Sequence, residues 1–358
     1  MPVDTRITAL FGIALPVLQA PMAGSSGAAL AIAVSQAGGL GALPCAMLSP
    51  QQIRDEVATI RAATDRPINL NFFCHRTPEP DPEGETVWRR RLAPYYETFG
   101  IDADAVPAGA GRRPFDDEAA ALVEALRPAV VSFHFGLPEA ALVARVKAAG
   151  ARVIASATTV AEARFLEENG CDAIIAQGAE AGGHRGIFLA GDVAAQPGTL
   201  ALVPQVVDAV SVPVIAAGGI ADGRGVAACL LLGAAAVQVG TAYLTTPEAL
   251  TGAGHRAALQ AAADDCTVLT NVFTGRPARG LLNRIVAELG PMSAEAPAFP
   301  LAAGAVAPLR AKAEAAGLSD FSPLWAGQAA PLARSMPAGA LTRALVDEAQ
   351  ALLARTGL

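Results

Sequence analysis

Short, unbroken apolar runs alternate with longer stretches of helical period along most of this chain. The runs lie at 16–20, 39–43, 68–72, 129–134, 152–156, 173–177, 212–216 and 236–239. A run with no polar face suits a parallel strand covered on both sides, since neither side meets water. Between the runs the spacing predicts helices that include 28–37, 51–63, 139–149, 160–169 and 225–232, each reached through a Gly, Pro or Ser turn. Eight such units predict an α/β fold, a closed (β/α)8 TIM barrel, in which ligand-binding groups stand at the carboxyl ends of the strands.

Two regions break the rhythm. Residues 75–116 sit where a short strand-to-helix loop belongs and carry Pro78, Pro80, Pro82, Trp88, Tyr95 and Tyr96. A connection of that length predicts an inserted lid. After Gly290 the chain becomes Pro- and Ala-rich and then helical through 341–355. The expected division is therefore a barrel over 1–290, lid included, and a C-terminal helical extension over 291–358. That extension would either cap the barrel mouth or mediate a homodimer.

Composition narrows the class. With 358 residues, 53% hydrophobic and 16% charged, one large buried core is expected. A net charge of -7 and a pI near 5.2 argue against nucleic acid or an anionic membrane as partner and favour a small molecule. Five cysteines, at 45, 74, 171, 229 and 266, are odd in number and lack a C-x-x-C. They suggest neither a disulfide framework nor a zinc site, and the expected setting is the reducing cytoplasm. No charged residue occurs between Arg6 and Arg54, yet Gly12, Pro16 and Pro21 interrupt the apolar stretch. It reads as a buried helix and strand rather than a signal or membrane span.

The strand ends carry the candidate chemistry. The sixth run opens into Gln177-Gly178-Ala179-Glu180-Ala181-Gly182-Gly183-His184-Arg185-Gly186. Glycines at 182, 183 and 186 leave room for a flat ligand, and His184 is the nearby group able to move a proton near neutral pH. Gly218-Gly219 after the seventh run and Gly240-Thr241 after the eighth can aim backbone N–H groups at a phosphate. The Asp222-Gly223-Arg224-Gly225 turn would add the favourable end of a helix dipole. Asn71, Gln177 and Gln238 converge on the same mouth, where amides suit the polar edge of a flavin ring. Asn71 and Gln177 could equally satisfy backbone groups inside the barrel. His134 alone would read as a core histidine, but its strand end faces His184. Four histidines without paired carboxylates form no credible metal set, and neither a Rossmann G-x-G-x-x-G nor a P-loop is present.

Taken together, Pro16 through Gly24, Asn69-Leu70-Asn71, Ser132 through Pro138, Ala179 through Gly186 and Ala217 through Gly225 resemble the nitronate monooxygenase family, formerly 2-nitropropane dioxygenase. The resemblance spans roughly residues 5–340, with Ala-Gly-Gly-His-Arg-Gly its most specific element. It implies a barrel binding FMN through Met22, Asn71, Gln177, Gly182, Gly218, Gly219, Gln238, Gly240 and Thr241. His184 would be the catalytic histidine and His134 would shape the substrate site. The implied reaction oxidises an alkyl nitronate with O2 to a carbonyl compound and nitrite, and an imidazole near its ordinary pKa would suit general-base duty. Phe299, Ala303 and Ala307 stand where the family pattern places tyrosines and a lysine, so a less polar pocket is expected. Two NAD(P)H-dependent FMN reductases share the barrel: enoyl-acyl-carrier-protein reductase and NADH:quinone reductase. A non-catalytic flavin-binding barrel is the alternative from another class.

Overall fold

All eight expected strands form in the computed structural model, which describes residues 4–106, 112–189 and 191–356. They are Val17–Gln19, Gly41–Pro44, Ile68–Phe73, Val130–His134, Arg152–Ala157, Ala173–Gln177, Val214–Ala217 and Ala236–Val239. Neighbours pair in parallel, and the first strand joins the eighth with Leu18 opposite Gln238. Leu40 closes the ring: its N–H donates to Val17 at 3.0 Å, and its carbonyl accepts from Gln19 at 2.9 Å. The strands are buried almost throughout, as their unbroken apolar character requires.

Helices Ala28–Gln36, Pro50–Ala63, Asp117–Leu126, Ala140–Ala148, Val160–Glu168, Thr199–Val207 and Gly223–Leu231 follow the first seven strands in turn. Their starts are chemically marked. Ser49 and Gln52 form a reciprocal capping box, and Asp116, Thr159 and Asp222 accept from the first-turn amides of their helices. The chain after 290 serves two places. Ala338–Thr356 packs between Gly223–Leu231 and Ala28–Gln36, burying Leu341, Leu345 and Ala349, and so fills the eighth position of the helical ring. Ala302–Ala315 instead packs against Pro82–Phe99, an 18-residue helix at the centre of the expected lid.

Trp88 Nε1 donates to the Ala302 carbonyl at 3.3 Å and Tyr96 Oη to that of Ala305 at 2.7 Å, within a second core that also holds Leu92, Val306 and Phe321. Residues 107–111 of the lid expectation lie outside the described residues. The uncharged N-terminal stretch is the helix Arg6–Phe11 followed by the first strand; Ile7 and Phe11 pack with Leu18, Ile154 and Ile215 inside the barrel. Among the described residues no helix is long and apolar enough to cross a membrane. An antiparallel sheet of Thr267–Thr270, Ala278–Leu281 and Gly183–His184 was not expected from the sequence.

Candidate active site

One cleft at the carboxyl ends of the strands gathers both expected site histidines and all the expected cofactor-binding residues. Met22, Asn71, His134, Gln177, Gly182, His184, Gly218, Gly219, Gln238, Gly240 and Thr241 all line it. His184 is set by two structures at once. Its backbone pairs with Ala278 in the small sheet, while its carbonyl accepts from Gln177 Nε2 at 3.1 Å and from His134 Nε2 at 3.2 Å. The carbonyl can only accept, so His134 carries its proton on Nε2, and Nδ1 accepts from Ser156 Oγ at 3.1 Å. Gln177 Oε1 receives the Gly186 N–H at 2.8 Å. Both ends of that amide therefore hold the histidine loop.

On the ring of His184, Nε2 lies 2.9 Å from Thr274 Oγ1, and Nδ1 has no hydrogen-bond partner among the described residues. Thr274 comes from the turn between the edge strand Thr267–Thr270 and the central strand Ala278–Leu281 of the small sheet. Phe73, Phe135, Phe299 and Trp325 surround the imidazole at centroid distances of 5.4 to 6.4 Å. Phe135 has a positive φ of 72°, a conformation bulky residues rarely adopt, and is covered by the Arg276 guanidinium at 4.0 Å.

Burial lowers the His184 pKa well below the usual histidine range, and the charges of Arg112, His134, Arg276 and Arg185 push it further down. Burial likewise takes His134 down to about 3. The expected imidazole near its ordinary pKa is thus corrected: in this cationic enclosure both rings are neutral at physiological pH. Arg185, 1% exposed, gives its guanidinium to the carbonyls of Gly178, Ala181, Gly182 and Gly183. It clamps the glycine loop from behind.

The glycines have individual reasons. A Cβ on Gly182 would sit 2.6 Å from the Ala326 carbonyl carbon and the Gly327 nitrogen, so chain packing alone requires glycine there. Gly218 and Gly219 adopt φ of 116° and 70°, and a Cβ on Gly240 would face Ala20 at 3.3 Å and Met22 Sδ at 3.8 Å. Thr241 Oγ1 accepts from Gly327 N at 2.9 Å. Asn71 Nδ2 donates to Ser132 Oγ at 2.9 Å, and Gln238 Oε1 is buried without a partner among the described residues. The helix start at Asp222 does not offer itself to an anion. Asp222 accepts from Arg224 N and Gly225 N, and Glu348 Oε2 takes the Gly223 N–H at 3.1 Å. That expectation fails because Asp222 of the turn and Glu348 of the last helix already take those amides.

Arg112, Thr274, Arg276 and Trp325 also belong to the site, and no local pattern marks them. Each lies in a connection far from the barrel strands in sequence. Among the described residues no group of His, Cys, Asp and Glu could hold a metal ion.

The nitronate monooxygenase family profile matches residues 4–348. A nitronate monooxygenase of Pseudomonas aeruginosa is 44% identical over 96% of this chain and 98% of its own length. One from Paraburkholderia phytofirmans is 45% identical over 95% of this chain and 93% of its own. The crystal structure of nitroalkane oxidase from Streptomyces ansochromogenes superposes with a TM-score of 0.89 at 40% identity, covering 99% of this chain and 100% of that one. With the barrel, the histidine loop and full-length relatives agreeing, this chain belongs to the nitronate monooxygenase family.

Proposed function

We propose that the protein is an FMN-dependent nitronate monooxygenase that oxidises alkyl nitronates with O2 to carbonyl compounds and nitrite. The observation that carries this reading is the placement of His184 in the cleft with Arg112, Arg185 and Arg276 close around it, in a protein of net charge -7; burial and those cations hold its pKa well below the usual histidine range. Three cations around a neutral base favour an anion beside it. A nitronate is that anion, already without its carbon-bound proton. A neutral nitroalkane would require His184 to take the proton and become a fourth cation in the cluster, which the depressed pKa opposes.

The cleft suits the cofactor. The orphaned Gln238 Oε1 matches an imide N–H of an isoalloxazine edge, and Asn71 stands at the same mouth. Gly218, Gly219, Gly240 and Thr241 would hold the phosphate through main-chain amides, with Met22, Gln177 and Gly182 completing the walls. FMN, when bound, takes electrons from the nitronate and delivers them to dioxygen. His184, its Nδ1 toward the cleft, would orient the substrate beside the cofactor. Thr274 and the bonds to the His184 carbonyl keep the ring aimed, while Phe73, Phe135 and Trp325 exclude water.

Anaerobic mixing of the yellow holoenzyme with propyl nitronate, 1-nitropropane or NADH tests this. Bleaching within seconds by the nitronate, slower bleaching by 1-nitropropane and no response to NADH are expected. Rapid bleaching by NADH alone would overturn the assignment in favour of a reductase.

A further inference from the structure

Adjoining the histidine cleft on its outer side is a second cavity of about 450 Å³, and Met47, Phe73, Arg112 and Trp325 line both. The outer walls are largely apolar, with Phe72, Ala303, Val306 and Ala307 facing the space. Its other cations are neutralised in place. Arg113 pairs with Asp116 at 2.6 Å and Glu118 at 2.9 Å, and Arg310 with Glu314 at 2.7 Å. Arg112 differs: no carboxylate of the described residues pairs with it, and the adjoining Pro-Ala-Gly-Ala-Gly at 107–111 contains none.

Of the three arginines near His184, two are committed. Arg185 holds four loop carbonyls, and Arg276 donates to the Ile187 carbonyl while lying on Phe135. Among the described residues Arg112 has its carbonyl 3.0 Å from His75 Nε2 and its guanidinium 5.5 Å from the Phe299 ring centroid. Its guanidinium N–H groups meet no acceptor among the described residues, and a planar guanidinium matches the two oxygens of a nitronate as it matches a carboxylate.

Building on the function proposed above, we propose that Arg112 binds the nitronate oxygens of the substrate beside His184, while the substrate's alkyl chain runs into the apolar outer cavity. The head is then fixed by charge at the junction of the two cavities. The chain is sorted by shape beyond it. Ala303, Val306 and Ala307 give that chain an apolar wall.

The test uses FMN-loaded wild type, Arg112→Met, Arg112→Gln and Arg112→Lys, with nitrate as an unreactive planar anion. Nitrate affinity is read from the flavin absorbance change. Propyl nitronate affinity is read from the concentration dependence of anaerobic bleaching, with melting temperature and flavin content as folding controls. Both affinities should fall about 10- to 100-fold in Arg112→Met, the worth of a charged hydrogen bond, and recover in part in Arg112→Lys. Should the Met variant fail to fold, Arg112→Gln against Arg112→Lys decides the same point. Wild-type affinity for both ligands in a folded, uncharged variant overturns the proposal. So does a loss confined to a carboxylated nitronate, which would put Arg112 on the substrate's tail. Wild type that binds nitrate through Arg112 but is not bleached by any nitronate would leave the anion site standing and sink the reaction assigned to it.

Discussion

Replacing Gly182 by alanine separates two reasons for a glycine in the histidine loop. The added Cβ would lie 2.6 Å from Ala326 C and Gly327 N and 3.0 Å from Ala326 Cα. Van der Waals contact between carbons begins near ~3.5 Å, so the intrusion is about 1 Å. All three atoms are backbone, and their segment is pinned. Gly327 N donates to Thr241 Oγ1 at 2.9 Å, Gln328 N to the Glu180 carbonyl at 2.9 Å, and Ala326 N to that of Arg279 at 3.3 Å. Relief must come from movement of the 182 loop or the 326–328 turn. Overpacking of this kind costs about 1–3 kcal/mol, at about 2–4 °C of melting temperature per kcal/mol in a domain of this size or somewhat smaller. Gly183→Ala is the control: no atom lies within 4 Å, and only its φ of 71° resists, at a cost of about 1 kcal/mol. The assay is thermal unfolding of cofactor-free protein beside FMN affinity and turnover. Cofactor-free Gly182→Ala should melt several degrees low and turn over slowly, because His184 is only two residues away. If it melts with wild type and merely binds FMN less tightly, the glycine serves the cofactor and the packing argument is wrong.

His184→Ala should retain its flavin and lose roughly 10²-fold in kcat, the cost of misplacing the reacting groups; full activity would remove His184 from the reaction. Acid should destabilise the fold through His134. Its folded pKa is depressed to about 3 against an ordinary value of 6.5, so the unfolded chain binds the proton first. Stability should therefore be complete above pH 6.5 and fall by about 1.4 kcal/mol per pH unit as pH drops through the window toward 3. Chemical denaturation at pH 7 and pH 5 with His134→Gln as reference measures this, and identical pH slopes for both proteins would contradict it. Glu162→Ala should cost roughly 2–5 kcal/mol and loosen the loop after His184. That buried carboxylate accepts from Thr158 N, Thr158 Oγ1, Phe188 N and Leu189 N, and its loss strands those donors. Urea midpoints unchanged from wild type would rule this out.

The barrel was legible because every strand is buried on both faces, leaving a signature no amphipathic helix imitates. Boundaries moved where local chemistry intervened. The seventh strand begins at Val214 rather than 212, just after Pro213, and its helix begins at Gly223 because Asp222 and Glu348 cap a glycine-rich start. Strand ends also located the cleft residues, since a TIM barrel presents them on one face by construction. What remained hidden depends on partners distant in the chain. Gly183–His184 is a strand only through pairing with Ala278–Leu281, and two residues carry no periodicity. Arg112 and Arg276 are ordinary loop cations until the fold sets them around one imidazole. The same enclosure is why a histidine in a glycine loop suggested a pKa near neutrality while the folded protein has one far below it.

His184 is anchored on two sides, and that arrangement explains why the histidine and its cations can do different work. The barrel side holds its carbonyl, through Gln177 from the sixth strand and His134 from the fourth. The outer sheet holds its backbone at Ala278 and its Nε2 at Thr274. With main chain and one ring nitrogen fixed, Nδ1 has a single approach, from the cleft. A neutral, immobile acceptor is a poor anion receptor, so attraction must come from elsewhere, and the arginines supply it from loops that the barrel does not constrain. Arg185 and Arg276 are tied to carbonyls and to Phe135, leaving Arg112 to meet what enters. In the proposed reaction, recognition of charge and placement of the imidazole thus rest on separate groups. A change in the Arg112 segment can alter which anion is admitted without moving the imidazole. A change in Gln177, Thr274 or Ala278 displaces the imidazole and leaves the charge in place. Substrate preference and turnover should accordingly separate between those two sets of positions.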